Sequence, residues 1–260
     1  MDPTPSPNAF ANSRHVKANT PHPLQCLDAI AAIRSCHMRQ EICRQGQVAN
    51  TWYRVLAGAA SCCIIKSDGR RQIVDLLFPG DFFGFTARTE YDYSVETAAT
   101  GTIVAGYPRK RVETLADSNP RLTREIRQVA FEALSRRHEQ LLIVGRITVQ
   151  QKVGSFILAM ADRLSPAGSD RVTLPISRYD IADYLAVSPE TVSRALSDLK
   201  QRGLIRFAGT RIIEIIDREA LEDSEGDDFA ARTPAPAARI SHQLSSTSFA
   251  RTANRTASPN

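Results

Sequence analysis

The sequence predicts an α+β protein in which an N-terminal β-roll of the jelly-roll kind, a long helix and a C-terminal winged helix-turn-helix follow one another. Three observations predict it. Short runs of β-branched and aromatic residues, separated by glycine-bearing turns, fill residues 40–107. The apolar period then becomes that of a helix opening at Asn119-Pro120. Finally, residues 176–206 read as two short capped helices joined by a tight turn. The first two rest on a side-chain period of two for strands and about 3.6 for helices.

The chain has 260 residues, enough for one large domain or two ordinary ones. Hydrophobic residues make up 42% and charged residues 23%, so real cores can form and a wholly disordered chain is excluded. No run of apolar residues is long enough to span a bilayer, and the N-terminus has no apolar signal region. Five cysteines, an odd number, argue against a disulfide scaffold and for a reducing, cytoplasmic setting. The formal charge of +5 permits a nucleic-acid partner without requiring one.

Residues 1–23 carry Pro3, Pro5, Pro7, Pro21 and Pro23 and almost no apolar pattern, and are expected to be disordered. A sensor-like roll is expected over 24–118. Its clearest strands are Trp52 to Leu56, Ser61 to Lys66 and Gln72 to Phe78. Asp68-Gly69 between the last two predicts a type I′ hairpin turn, which needs positive φ. Cys62 and Cys63 are adjacent on a strand, so they should face opposite ways.

A helix is expected over 119–146, capped by Asn119 with Pro120 at its first position. It runs to about Val144, a rod of roughly 40 Å. Leu122, Ile126, Val129 and Ala133 share one face. Part of that stripe should pack on the strands, but a helix longer than its own domain calls for a partner helix, so these four residues are the expected homodimer contact. The winged helix-turn-helix domain is expected over 147–221, beginning with a helix from Thr148 to Leu164 that Ser165-Pro166-Ala167-Gly168 ends. From residue 222 an acidic run, Glu222 to Asp228, leads into a tail of Ala, Pro, Ser, Thr, Arg and Asn; 222–260 is expected to be disordered.

The chemistry concentrates in 176–206. Ser177 and Asp180 form a Ser-x-x-Asp variant of the capping box, opening a short helix with Ile181 and Leu185 inward. Ala186-Val187 makes the turn. Ser188 and Pro189 open the second helix, whose Val192, Ala195, Leu196 and Leu199 have core spacing, and Gly203 ends it. With that face inward, Glu190, Ser193 and Arg194 point outward near the leading end, where a recognition helix meets base edges. Arg194 can present a fork to guanine, Glu190 can accept from cytosine N4, and Ser193 can meet thymine. Ser177, Arg178, Ser188 and Thr191 suit phosphates, as do Arg206 and Arg211 flanking the tip of a hairpin wing over 204–216.

The order of roll, long helix and winged helix resembles the Crp/Fnr superfamily of bacterial transcription regulators over roughly residues 40–218. The likeness is sharpest at Pro79-Gly80-Asp81-Phe82-Phe83-Gly84 and from Val187 to Arg194. Glu190-Thr191-Val192-Ser193-Arg194 is similar to the Fnr and FixK branches, and Asp68 to Ile73 with Tyr93-Ser94-Val95-Glu96 looks most like FixK-type proteins. The resemblance implies a cyclic-nucleotide-binding-like roll and a homodimer that binds double-stranded DNA at a TTGAT-N4-ATCAA-like palindrome. It further implies RNA polymerase as a partner, and control, chiefly activation, of low-oxygen, nitrogen-fixation or denitrification genes.

The sensory residues of better-known relatives are missing. Cyclic-AMP-binding members hold the ribose with a Glu and the phosphate with an Arg. Phe85 and Tyr93 stand at those positions here, so cyclic AMP is not expected. An iron–sulfur cluster needs four thiolates; Cys26, Cys36 and Cys43, with His37, are the only candidates. Tyr107, not Cys, precedes Pro108, so a redox-gated, Fnr-like oxygen sensor is the weaker alternative and no cofactor is expected. His37 and His138 lack a haem pattern. No phosphate loop, nucleophile elbow or paired-histidine metal motif is present, and an enzyme is not expected.

Overall fold

The computed structural model describes residues 24–166 and 169–222. The disordered segments expected over 1–23 and beyond residue 222 lie outside the described residues, as do Ala167 and Gly168. A 3-10 turn, Gln25–Ile30, leads into eight strands: β1 (Ala32–Cys36), β2 (Glu41–Cys43), β3 (Thr51–Ala57), β4 (Ala60–Ile65), β5 (Arg71–Leu77), β6 (Phe82–Phe83), β7 (Ser94–Thr97) and β8 (Thr102–Pro108). They form two four-stranded antiparallel sheets, ordered β1-β8-β3-β6 and β2-β7-β4-β5. Val55, Val95, Val104, Phe83 and Cys62 meet in the roll interior. Cys63 faces away, into the cluster that the roll shares with the C-terminal domain, which matches the alternation of a strand.

The β4–β5 hairpin corrects one expectation. Gly69 donates its N–H to the Lys66 carbonyl at 2.9 Å, and Lys66 donates to Arg70 at the same distance. Gly69 has φ +79° but Asp68 does not have positive φ. A type I′ turn needs both residues left-handed, so this is instead the longer loop with one glycine in the left-handed position.

After the roll come α1 (Arg109–Ser118), α2 (Pro120–Val144) and α3 (Val149–Leu164). The sequence reading did not anticipate α1, which lacks a side-chain cap and buries only Val112. Asn119 Oδ1 caps α2 by accepting from Arg121 N at 3.1 Å and Leu122 N at 3.2 Å. Thr148 and Gln151 form a reciprocal capping box on α3.

The stripe on α2 is a second correction. Leu122 and Val129 are buried within their own chain, and Ile126 packs beside them against Leu24, Phe82, Ala105 and Tyr107. Ala133 is half-buried and lines a cavity of the roll. These four residues therefore secure α2 to the roll, because the roll offers an apolar sheet face at the same helical period.

Beyond α3 follow β9 (Arg171–Thr173), α4 (Arg178–Leu185), α5 (Pro189–Gln201), β10 (Ile205–Phe207) and β11 (Ile212–Ile215). β9 joins the wing as the third strand of a β10-β11-β9 sheet. One apolar cluster runs from Ile73, Leu76 and Phe78 in the roll through Phe156 and Ile157 of α3 to Leu185 and Leu196, so roll and DNA-binding domain share a core.

Asp81 ties three elements at that junction. Its carboxylate accepts from the Phe78 N–H at 2.7 Å and from Arg163 of α3 at 2.5 Å, and lies 3.5 Å from Arg136 of α2. Arg136 also lies 3.4 Å from buried Asp75, whose carboxyl is pushed up by burial and held back by Arg136 and Arg163. Removing one member of such a group leaves the others without a counter-charge. Asp81→Ala is expected to lower unfolding free energy by about 3–5 kcal/mol in urea titrations. Arg70→Ala, at an exposed ion pair with Asp68, should leave the midpoint unchanged.

Candidate nucleic-acid interface

The two-helix unit is built by local capping. Ser177 Oγ accepts from Asp180 N at 3.2 Å, while Asp180 Oδ2 accepts from Ser177 N at 3.0 Å and from Ser177 Oγ at 2.6 Å. Ala186 terminates α4 in the left-handed region, φ 57° and ψ 43°, and turns the chain toward α5. Ser188 Oγ accepts from Thr191 N at 3.2 Å, and Pro189 occupies the first turn, where its missing N–H costs nothing. At the far end Gly203 adopts φ +76°, and Leu204 N donates to Leu199 O at 3.0 Å.

Val192, Ala195, Leu196 and Leu199 of α5 are buried. Glu190, Ser193 and Arg194 are all exposed on the opposite side within the first two turns, so the structure brings the three expected base-reading residues together. Ser197 continues that exposed row one turn further, a position the sequence reading passed over although it lies four residues from Ser193. The Glu190 carboxyl is held below the usual carboxylate range by its own backbone N–H, then by Ser188 and by the charge of Arg194. It therefore stays an anion, and an acceptor, through neutral pH. Ser193 Oγ donates to the Pro189 carbonyl at 2.9 Å, so the hydroxyl faces solvent as an acceptor.

The expected phosphate contacts are less uniform. Thr191 and Ser188 share a hydroxyl hydrogen bond of 2.9 Å at the leading end of α5. Ser177 is committed to its capping box, with the hydroxyl proton on Asp180, and so has no proton to give a phosphate. Arg178 is exposed and lies 5.5 Å from the Phe207 ring, which steadies it beside the wing. Arg206 faces Glu214 across the wing and pairs with it at 2.6 Å, so its charge is already balanced. Arg211, at the wing tip, donates to the Pro175 carbonyl at 3.4 Å and has no ion pair among the described residues.

The cysteines do not converge. Cys26 is exposed beside Glu125 of α2, whereas Cys36 and Cys43 are buried in the roll interior. Burial pushes the Cys43 thiol up to about 12, the reverse of what a thiolate ligand needs. Among the described residues, no three His, Cys, Asp or Glu side chains are gathered to hold a metal ion. The structure thus does not bring Cys26 together with Cys36 and Cys43.

The roll encloses a cavity of about 210 Å³ between its strands and α2, lined by Cys62, Asp75, Phe83, Tyr93, Arg136 and Arg137. That is below the roughly 300–1,000 Å³ of ordinary ligand pockets. Tyr93 is buried, its hydroxyl accepts from Gly84 N at 3.3 Å, and the Arg137 guanidinium lies 4.8 Å from its ring centre. Arg136 and Arg137 each keep an unpartnered buried Nε. Yet Arg136 is neutralised by Asp75 and Asp81, and Asp75 itself would repel a phosphate. Phe85, set edge-on against Trp52 at 4.7 Å, supplies no carboxylate for a ribose. These residues do not fit a cyclic nucleotide.

A roll of this topology, carried by a long helix onto a winged helix-turn-helix with a free polar face on its second helix, defines a DNA-binding transcription regulator. Family models agree: residues 33–119 match the cyclic nucleotide-binding domain and residues 151–224 the Crp-like helix-turn-helix domain. The chain is 35% identical to the nitrogen fixation regulation protein FixK of Azorhizobium caulinodans, over 84% of this chain and 90% of that one. It is 32% identical to the transcriptional activator protein FnrL of Cereibacter sphaeroides, over 81% and 87%. Among solved structures it resembles FixK2 from Bradyrhizobium japonicum, with TM-score 0.69, 34% identity, and coverage of 75% of this chain and 96% of that one. The chain belongs to the Crp/Fnr family of transcription regulators. Among the described residues, no helix is long and apolar enough to cross a membrane.

The two wing arginines should separate in salt titrations of DNA affinity. Arg211→Ala is expected to reduce the slope of log K against log salt by about 1, the effect of one lost phosphate contact. Arg206→Ala should leave the slope where it is, because a guanidinium engaged by Glu214 makes no phosphate contact to lose.

Proposed function

We propose that the protein is a homodimeric, sequence-specific regulator, chiefly an activator, acting in the cytoplasm with RNA polymerase. Its two α5 helices enter the major groove at the two halves of a TTGAT-N4-ATCAA-like inverted repeat. Arg194 forks onto guanine, Glu190 accepts from cytosine N4 and Ser193 meets thymine. The observation that carries this reading is the exposed row of Glu190, Ser193 and Arg194 at the leading end of a doubly capped helix. Arg178, Ser188, Thr191 and Arg211 hold phosphates around it. The relatives named for nitrogen fixation regulation support target genes of nitrogen fixation. The poor fit to a cyclic nucleotide supports activity set by the amount of protein rather than by that ligand.

The outward face of α2 supports pairing of two copies. Phe131, Leu134 and Leu141 are 56%, 48% and 69% exposed, and with His138 they alternate at three- and four-residue steps along the solvent-exposed side of the helix. That is the spacing of a two-helix seam, and apolar side chains of this size in one row call for a cover.

Selection of bound DNA from a random pool, with purified protein in air, tests the reading: inverted repeats of TTGAT-like half-sites are expected. Recovery of no inverted repeat overturns it. Arg194→Ala is expected to weaken specific binding by about 1–3 kcal/mol in gel-shift titrations and to relax selectivity at one base pair of each half-site. Leu141→Glu sets like charges against each other in the seam. Sedimentation should then report a monomer that has lost its preference for the full palindrome over a single half-site.

A further inference from the structure

Arg71 and Gln72 open β5, in the roll, yet both reach α4, more than a hundred residues further along the chain. The Arg71 guanidinium donates to Asp183 at 2.8 Å and to Asp180 at 3.4 Å, and on its other side to Ser61 at 2.8 Å. Glu96 of β7 lies 3.4 Å away. The Arg71 side chain is only 18% exposed, so solvent screens these contacts weakly. Gln72 Nε2 donates to the Asp183 carbonyl at 2.6 Å, and Gln140 of α2 donates to the carbonyls of Ile73 at 2.6 Å and Tyr184 at 3.3 Å. Asp183 and Tyr184 lie in the last turn of α4, whose carbonyls have no partner inside the helix. The roll and α2 therefore take up the Asp183 and Tyr184 carbonyls, beside the backbone cap that Ala186 gives to the Ala182 carbonyl.

Apolar packing alone would also hold the two domains together, since Ile73 and Leu76 share a cluster with Tyr184 and Leu185. Dispersion contacts are non-directional, however, and allow one surface to turn on the other. Hydrogen bonds weaken steeply when misaligned, so a two-pronged guanidinium and two side-chain amides fix an angle as well as a distance. Asp180 at once completes the capping box of α4 and accepts from Arg71, so the start of the helix is registered on the roll too. The position of α4 sets that of α5, because the two helices pack in the same core.

We infer that Arg71 and Gln72 are positioning residues for operator recognition: they pin α4 at one orientation on its own roll, and in the dimer this fixes the half-site spacing that the protein accepts. The inference rests on the dimeric reading above. Half-sites sit one helical turn of about 10–10.5 base pairs apart, so one added base pair both lengthens the span and rotates one half-site by roughly a tenth of a turn. A rigid pair of recognition helices cannot follow that rotation; a loosened pair can.

The test measures affinity of the full-length protein for palindromes whose central spacer is shortened or lengthened by one or two base pairs, and for a single half-site. The unaltered protein should favour the cognate spacer over a one-base-pair change by roughly tenfold or more, the scale of one mismatched base pair, and Arg71→Ala should reduce this to about threefold or less. Its affinity for a lone half-site should not change, which a general loss of folding would not spare. Gln72→Ala leaves no buried carboxylate unpaired; it should blunt the preference in the same direction and stands in if Arg71→Ala does not fold. A folded variant at either position with the original spacer preference overturns the inference. No spacer preference in the unaltered protein would instead count against the dimeric reading.

Discussion

Val192, Ala195, Leu196 and Leu199 leave water together, and their burial decides everything that α5 can present. A helix advances about 100° per residue, so four residues facing α3 and α4 commit Glu190, Ser193 and Arg194 to the solvent side. The caps at Ser188 and Ser177 place the helix ends, and the wing closes the lower edge of the same core. Without that apolar seat the three polar residues would be three unrelated surface groups. With it they form one row at the positive end of a helix dipole, where an anionic polymer is welcome.

α2 serves two surfaces at once. One side is fastened to the roll by Leu122, Ile126 and Val129, and the other carries Phe131, Leu134 and Leu141 into solvent. Within the roll, Arg137 resting over Tyr93 brings α2 and the strands into contact at the cavity wall. The chain supplies that contact from its own side chains, with Asp75 and Arg136 balancing each other beside it.

Local signals were legible in the sequence, and long-range ones were not. Asn119, Thr148, Ser177 and Ser188 all cap the helices they were expected to open, because a cap involves only the next few residues. α1 escaped notice because it has no capping side chain and one buried residue, and β1 because four of its five residues are exposed. The stripe on α2 showed which residues share a side but not what covers it, and the roll took the side expected for a second helix. The balance between Arg206 and Glu214 depends on wing register, and the reach of Arg71 to α4 on tertiary structure. Neither spacing is written in sequence. Arg71-Gln72-Ile73 stood out by resemblance alone, and only the folded chain gives it a physical task.

Ala186 carries a last consequence. It is one of three non-glycine residues among those described with positive φ, and it sits at the joint between the two helices of the DNA-binding unit. An L-residue pays roughly 1–2 kcal/mol to adopt that backbone, where glycine would adopt it freely and many others besides. The methyl group thus trades a little stability for a joint with fewer rest positions. The elbow is held in that disfavoured conformation by the packed helices on either side of it, and nucleic acid meets a bracket already set.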